Sequence, residues 1–152
     1  MPITTPTKAT GSGTKAYIST DGSTYNEFAS VTKLGGPSMS RGTVDVTDMN
    51  SFSDNDQFKE FLVDFIEADE IPIEGFVKGT DAGRTTAETA FYAGTMVYIK
   101  IVLPTTIGKT MIVQGVMTKY QPIGDISTDA GIAYAISVKP IAKPTLGTTT
   151  TT

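Results

Sequence analysis

No cysteine, histidine or tryptophan occurs among the 152 residues. The first absence removes disulfides, thiolate nucleophiles and cysteine metal sites. The second removes the commonest general base and the commonest nitrogen ligand for a metal. No apolar run approaches the roughly 18 residues needed to span a bilayer. The opening, Met1-Pro2-Ile3-Thr4-Thr5-Pro6-Thr7-Lys8, lacks the apolar centre of a signal peptide. Basic residues are also scarce, with 12 Lys+Arg against 16 Asp+Glu and a net charge of −4. That balance argues against a protein that grips nucleic acid through its phosphates, but does not exclude one that lets nucleic acid pass.

What is present fits one domain, and a chain of this length buries about 70% of its unfolded surface. Fifteen glycines and eight prolines point to β structure with frequent turns. Acid is concentrated in one place. Ten carboxylates (Asp45, Asp48, Asp54, Asp56, Glu60, Asp64, Glu67, Asp69, Glu70 and Glu74) face only Lys59, a local charge of −9. Such self-repulsion belongs on an exposed segment or one facing something that tolerates it.

Residues 1–15 have Ile3 as the only large apolar residue after Met1, so they read as a flexible arm that stays mobile or docks on a neighbour. A strand over Ala16–Thr20 closes at Asp21-Gly22, a turn signal. A strand follows at 31–34, and another at Met39–Thr47 with Gly42 as its bulge. Residues 48–57 are a long loop. Over 58–68, Phe58, Phe61, Leu62, Phe65 and Ile66 keep helical spacing, while Phe61, Val63 and Phe65 alternate as in a strand. Periodicity alone favours a short amphipathic helix there. Glu70–Lys78 is a strand whose Pro72 implies an edge or a bulge. A helix is expected over about 84–93, with Thr85 or Thr86 as N-cap and Gly94 as its stop. Strands then follow at Met96–Leu103, Lys109–Tyr120 and Gly131–Pro140. The last alternates Ile132, Tyr134, Ile136 and Val138 with smaller or polar residues. The polar tail, residues 141–152, is a second candidate arm.

Three patterns invite chemistry and fail on spacing. Gly108-Lys109-Thr110 lacks the glycine that a phosphate loop places five positions earlier, where Leu103 stands. Asp48, Asn50, Asp54 and Asp56 suggest a calcium loop, but Phe52, Ser53 and Lys59 occupy its third ligand, glycine and closing-glutamate positions. Asp64 with Glu67 could do acid–base work, yet runs of acids are more often a solvated surface. No enzyme, cofactor or dedicated metal site is expected.

The order of features carries more than any one motif. A small-residue arm and a first hairpin lead to Val44-Asp45-Val46-Thr47. Ser51 follows, then Lys59-Glu60-Phe61, Asp69-Glu70, Glu74-Gly75-Phe76, a short helix, a strand closing at Leu103-Pro104, and an alternating strand. This resembles the tail tube proteins of long, non-contractile-tailed bacteriophages, over roughly Ala16 to Lys139. One departure is Leu62-Val63, where that family often has Pro-Gly. The resemblance implies a mostly-β fold, a sandwich or flattened barrel with one flanking helix over 16–140, and an extended chain over 58–68. It implies hexameric rings stacked into a tube, without enzymatic activity, in the virion tail, with DNA passing through the lumen. Tape-measure, tail-tip and tail-terminator proteins are the implied partners. Val44, Asp45, Val46, Thr47, Asp48, Ser51, Phe52, Phe58, Lys59 and Phe61 would contact neighbouring subunits. Glu60, Asp64, Glu67, Asp69 and Glu70 are the candidate lumen acids, and Ile3, Pro6, Lys8, Pro144 and Leu146 lie on the arms. The alternatives are the tube of a type VI secretion or contractile system, and a monomeric module using its acidic loop for a cation or basic partner.

Overall fold

The computed structural model describes residues 11–50 and 57–148. Contacts divide them into two compact units, 38–69 and the remainder, where the sequence suggested one domain over 16–140. The division has a simple cause. Two strands in the middle of the chain pair only with each other, and every other strand joins one eight-stranded sheet.

That sheet contains β1 (Lys15–Ser19), β2 (Asn26–Glu27), β3 (Lys33–Leu34), β6 (Ile71–Phe76), β7 (Val97–Val102), β8 (Lys109–Gln121), β9 (Ala133–Pro140) and β10 (Thr145–Thr148). Their order is β2-β1-β7-β8-β9-β6-β3, with β10 also on β8. The thirteen-residue β8 organises it. Thr110–Gly115 pairs with β7, Gly115–Gln121 pairs with β9, and Lys109–Ile112 pairs with β10. A bulge at Thr118 shifts the β9 register, and such a residue bends the strand. The sheet is not closed into a barrel; its end strands, β2 and β3, are each two residues long. The tail expected as an arm contributes β10, whose Leu146 lies opposite Met111.

Alternation decides what is buried. Ala16 and Ile18, Ile71 and Ile73, Val97 and Ile99, and Tyr134, Ile136 and Val138 point into one core with Phe28 and Val113. Pro72 stands where the β3 pairing ends. Its carbonyl accepts from Gly35 N–H at 3.0 Å, and its ring nitrogen has nothing to donate. Gly108, at φ +67°, turns the chain into β8, so the Gly-Lys-Thr sequence is a turn entering a strand.

The one helix among the described residues, α1 (Ala82–Ala93), starts earlier than the sequence suggests. Its N-cap is Asp81, not Thr85 or Thr86. The Asp81 carboxylate accepts from Arg84 N–H and also from Ala29 N–H, both at 3.1 Å. Gly83 reads as a turn residue, yet it is a buried contact point. A Cβ there would come within 2.8 Å of the Glu27 carbonyl and the Phe28 nitrogen. Thr85, Thr86 and Thr89 instead donate their hydroxyls to carbonyls four residues back. Gly94, at φ +70°, ends the helix as expected.

Because Asp81 both caps α1 and holds the Phe28–Ala29 turn, Asp81→Ala should cost about 2–3 kcal/mol: about 1 for the cap and the rest for an orphaned Ala29 N–H. Urea unfolding measures this, and a loss well under 1 kcal/mol would contradict the cap assignment.

The first turn makes a pH-dependent contribution. Ser23 and Thr24 N–H groups and the Ser19 hydroxyl hydrogen-bond Asp21 Oδ1 and hold its carboxyl far below the usual carboxylate range. A depressed folded value stabilises above the unfolded carboxylate value of about 3.9 and fades as pH falls further. The difference in melting temperature between wild type and Asp21→Asn should therefore shrink between pH 7 and strongly acidic solution. An equal difference at both extremes would contradict it.

Candidate assembly surface

The second unit is built from β4 (Met39–Asp45) and β5 (Phe61–Ala68), an antiparallel pair forming its own sheet. The segment over 58–68 is therefore extended from Phe61, as the resemblance implied, and the helical spacing of its apolar residues has another origin. The register runs Met39↔Ala68, Ser40↔Glu67 and Arg41↔Ile66, then slips to Thr43↔Val63, Val44↔Leu62 and Asp45↔Phe61. Asp64 and Phe65 thus stand together opposite Gly42, so the extra residue lies on β5 and Gly42 is its partner. A bulge inserts one residue into a period of two. Phe61, Val63, Ile66 and Ala68 consequently share a face although Val63 and Ile66 are three apart. That step imitates a helix.

The two faces differ in character. Cross-strand partners share a side of the sheet, so one face carries Met39, Arg41, Thr43 and Asp45 with Ala68, Ile66, Val63 and Phe61. The other carries Ser40 and Val44 with Glu67 and Leu62. Asp64 belongs to it as well, because a Cβ on Gly42 would meet Asp64 Cβ at 3.5 Å. Every residue of β4 is exposed, and so is all of β5 except Ala68; Val63 is 70% exposed and Phe65 87%. Isolated two-stranded sheets are marginal in water, and contiguous exposed apolar surface marks an interaction site.

The loop joining the strands is pinned at its root. Thr47 Oγ1 accepts from Glu60 N–H at 2.9 Å and donates to the Glu60 carbonyl, while Val46 N–H donates to that same carbonyl. Thr47 also holds Asp45. Its N–H donates to the Asp45 carboxylate at 2.9 Å, and the nearby Thr47 hydroxyl together with this N–H keeps the carboxyl below the usual range. The Val44–Thr47 and Lys59–Phe61 motifs are thereby brought to one place. At the opposite end Asp69 N–H donates to the Ser38 carbonyl at 2.8 Å.

Of the other expected residues, Asp48, Phe58, Lys59 and Glu70 are exposed. Ser51, Phe52, Ile3, Pro6 and Lys8 lie outside the described residues, as do Asp54 and Asp56 of the calcium-like pattern. Pro144 and Leu146 belong to β10 and its approach rather than to this surface. Among the described residues no group of three or more Asp or Glu side chains is placed to hold a metal ion. Sequence reasoning missed Met39, Arg41, Leu62, Val63, Phe65 and Ile66 as surface residues. For the four on β5 the signal was the cluster Phe61-Leu62-Val63 and Phe65-Ile66, interrupted only by Asp64; Met39 and Arg41 carried no such signal.

No protein-family model and no curated protein matches this sequence. Solved structures do match. The tail of the empty gene transfer agent particle, computed with C6 symmetry, gives a TM-score of 0.69 at 17% identity over 92% of this chain and 99% of that one. The SPP1 tail tube gives 0.64 at 15% identity over 93% and 80%. A chain of the sixfold-symmetrised anti-feeding prophage baseplate gives 0.72 at 10% identity over 96% and 98%. This chain therefore has the tail-tube fold, with an open sheet and, among the described residues, mostly β structure and one helix.

Proposed function

We propose that the chain is a structural subunit of a bacteriophage tail, assembling as stacked hexameric rings into a tube that conducts DNA. The observation that carries this reading is the β4–β5 sheet. It exposes both strand edges and an apolar face on a chain with the tail-tube fold. Open edges invite strand pairing, and closing a barrel from several copies removes them all. The face bearing Met39, Phe61, Val63 and Ile66 would pack on protein. The face bearing Asp64 and Glu67 would line the lumen, where carboxylates repel phosphates and let DNA slide. Of the five candidate acids these two share a face of the sheet. The N-terminal arm would reach an adjacent ring, whereas the tail is held through β10 on the chain's own β8. Tape-measure, tip and terminator proteins complete the tail, and assembly takes place in the host cytoplasm.

A contractile injection system is the second reading, favoured by the likeness to the anti-feeding prophage baseplate chain. Negative-stain microscopy and sedimentation of concentrated protein, with and without a chelator, test the proposal. Hollow tubes or rings indifferent to the chelator are expected. A persistent monomer whose melting temperature falls with the chelator would overturn it in favour of a cation-binding module. Adding a sheath protein then separates the two tube readings, since only a contractile tube would recruit one.

A further inference from the structure

Asp21-Gly22 is the one Asp-Gly pair in the sequence, and Asn-Gly is absent. In a free chain such a pair rearranges without help from any other residue. The Gly22 nitrogen attacks Asp21 Cγ, and the new N–C bond closes a five-membered imide. The amide proton and a carboxyl oxygen depart as water. Water then opens the ring. Attack at Cγ restores aspartate, whereas attack at the former backbone carbonyl leaves the chain running through Asp21 Cβ as isoaspartate. Glycine favours the closure because it has no Cβ to crowd the nitrogen and its backbone adopts the needed shape freely.

The folded turn commits both reacting groups elsewhere. Gly22 N–H donates to Ser19 Oγ at 2.9 Å, and Asp21 N–H donates to the same oxygen at 3.2 Å. The Ser19 hydroxyl donates in turn to Asp21 Oδ1 at 2.8 Å, which also accepts from Ser23 N–H at 2.8 Å and Thr24 N–H at 2.9 Å. The nitrogen is thus held on Ser19 while the carboxyl is drawn toward Ser23 and Thr24. Gly22 sits at φ +80°, with the Tyr98 ring 3.4 Å from where a Cβ on it would stand. Ser19 is fully buried and Asp21 is exposed, so the core fixes the residue that holds the turn while the reactive one meets water. The same bonds keep the carboxyl ionised, and a carboxylate is a poorer electrophile than its acid. We infer that Asp21-Gly22 is a latent site of isoaspartate formation, held shut in the folded protein by Ser19. Isomerisation there would add a backbone atom between β1 and β2 and pull the carboxylate away from Ser23 and Thr24. The inference is independent of the assembly reading.

Conversion is read on the tryptic peptide Ala16–Lys33, whose isoaspartyl form separates by chromatography at unchanged mass. Aged at neutral pH, folded wild type should convert at least about tenfold more slowly than the same protein in urea. Ser19→Ala should raise the folded rate at least about threefold. Ser19→Cys, which keeps the shape with a weaker acceptor, serves as a second variant should the first fold poorly. Val138→Ala, a core truncation with β7 and β8 between it and the turn, should leave the rate low. Equal rates for folded and urea-unfolded wild type overturn the inference. So does a folded Ser19 variant that converts at the wild-type rate. Acceleration by Val138→Ala as large as that by Ser19→Ala also overturns it, because conversion would then follow global opening rather than release of the turn.

Discussion

Val63→Asp is expected to leave the monomer folded and to raise the critical concentration for assembly at least about a hundredfold. Val63 is 70% exposed in the single chain and sits among Phe61, Ile66 and Thr43 on the apolar face. Burying it against a neighbour contributes about 1.5 kcal/mol. A carboxylate there loses that burial and must also be desolvated, at a cost of several kcal/mol that Arg41 on the same face offsets only in part. Together these exceed the roughly 2.8 kcal/mol that a hundredfold change requires. Monomer stability should hardly change, because the side chain touches little in the unassembled protein. Pelleting assays over a concentration series, paired with thermal melts, read the two effects separately. Assembly at the wild-type threshold would remove this face from the interface. Ser40→Asp, on the opposite and acidic face, should be tolerated far better.

The second large effect falls on the fold. Gly75 lies on β6 opposite Tyr134, and a Cβ there would overlap the Ser30 carbonyl and come within 2.9 Å of the Tyr134 hydroxyl. That hydroxyl donates to the Ser30 carbonyl at 2.8 Å, tying the segment between β2 and β3 down onto the core. Burial pushes the Tyr134 phenol well above its usual range, reinforced by the Asp81 carboxylate and opposed by Arg84, so it stays a donor throughout the ordinary pH range. Gly75→Ala must move backbone or break this bond, and about 3 kcal/mol or more should be lost. For a domain of this length that lowers the melting temperature by about 6–12 °C. A fall of less than about 2 °C would mean that the Ser30 segment yields without cost.

Much of this was legible in the chain. The alternation of Tyr134, Ile136 and Val138, the Asp21-Gly22 turn, the helix stop at Gly94 and the proline at the end of a pairing ladder are local signals, written within a few residues of where they act. Asp81 was less visible as a cap because Gly83 follows it. The glycine reads as a turn until Glu27 and Phe28, more than fifty residues away, are seen packed against it. Only folding shows that distance to be a contact.

The 58–68 segment marks the boundary most sharply. Its residues alone favoured a helix, and the order of motifs along the whole chain pointed to extended structure. Neither could locate the bulge at Asp64 and Phe65, which is defined by how β5 pairs with β4 around Gly42. By itself the sequence determined composition-level properties: a mostly-β chain, one helix, no thiol or imidazole chemistry, and an acidic middle. Tertiary structure alone decided which apolar residues became core and which became surface, which acids share a face, and where the tail pairs. Periodicity records the faces of an element, whereas burial and register depend on partners distant in sequence, and a single inserted residue reassigns every side chain beyond it.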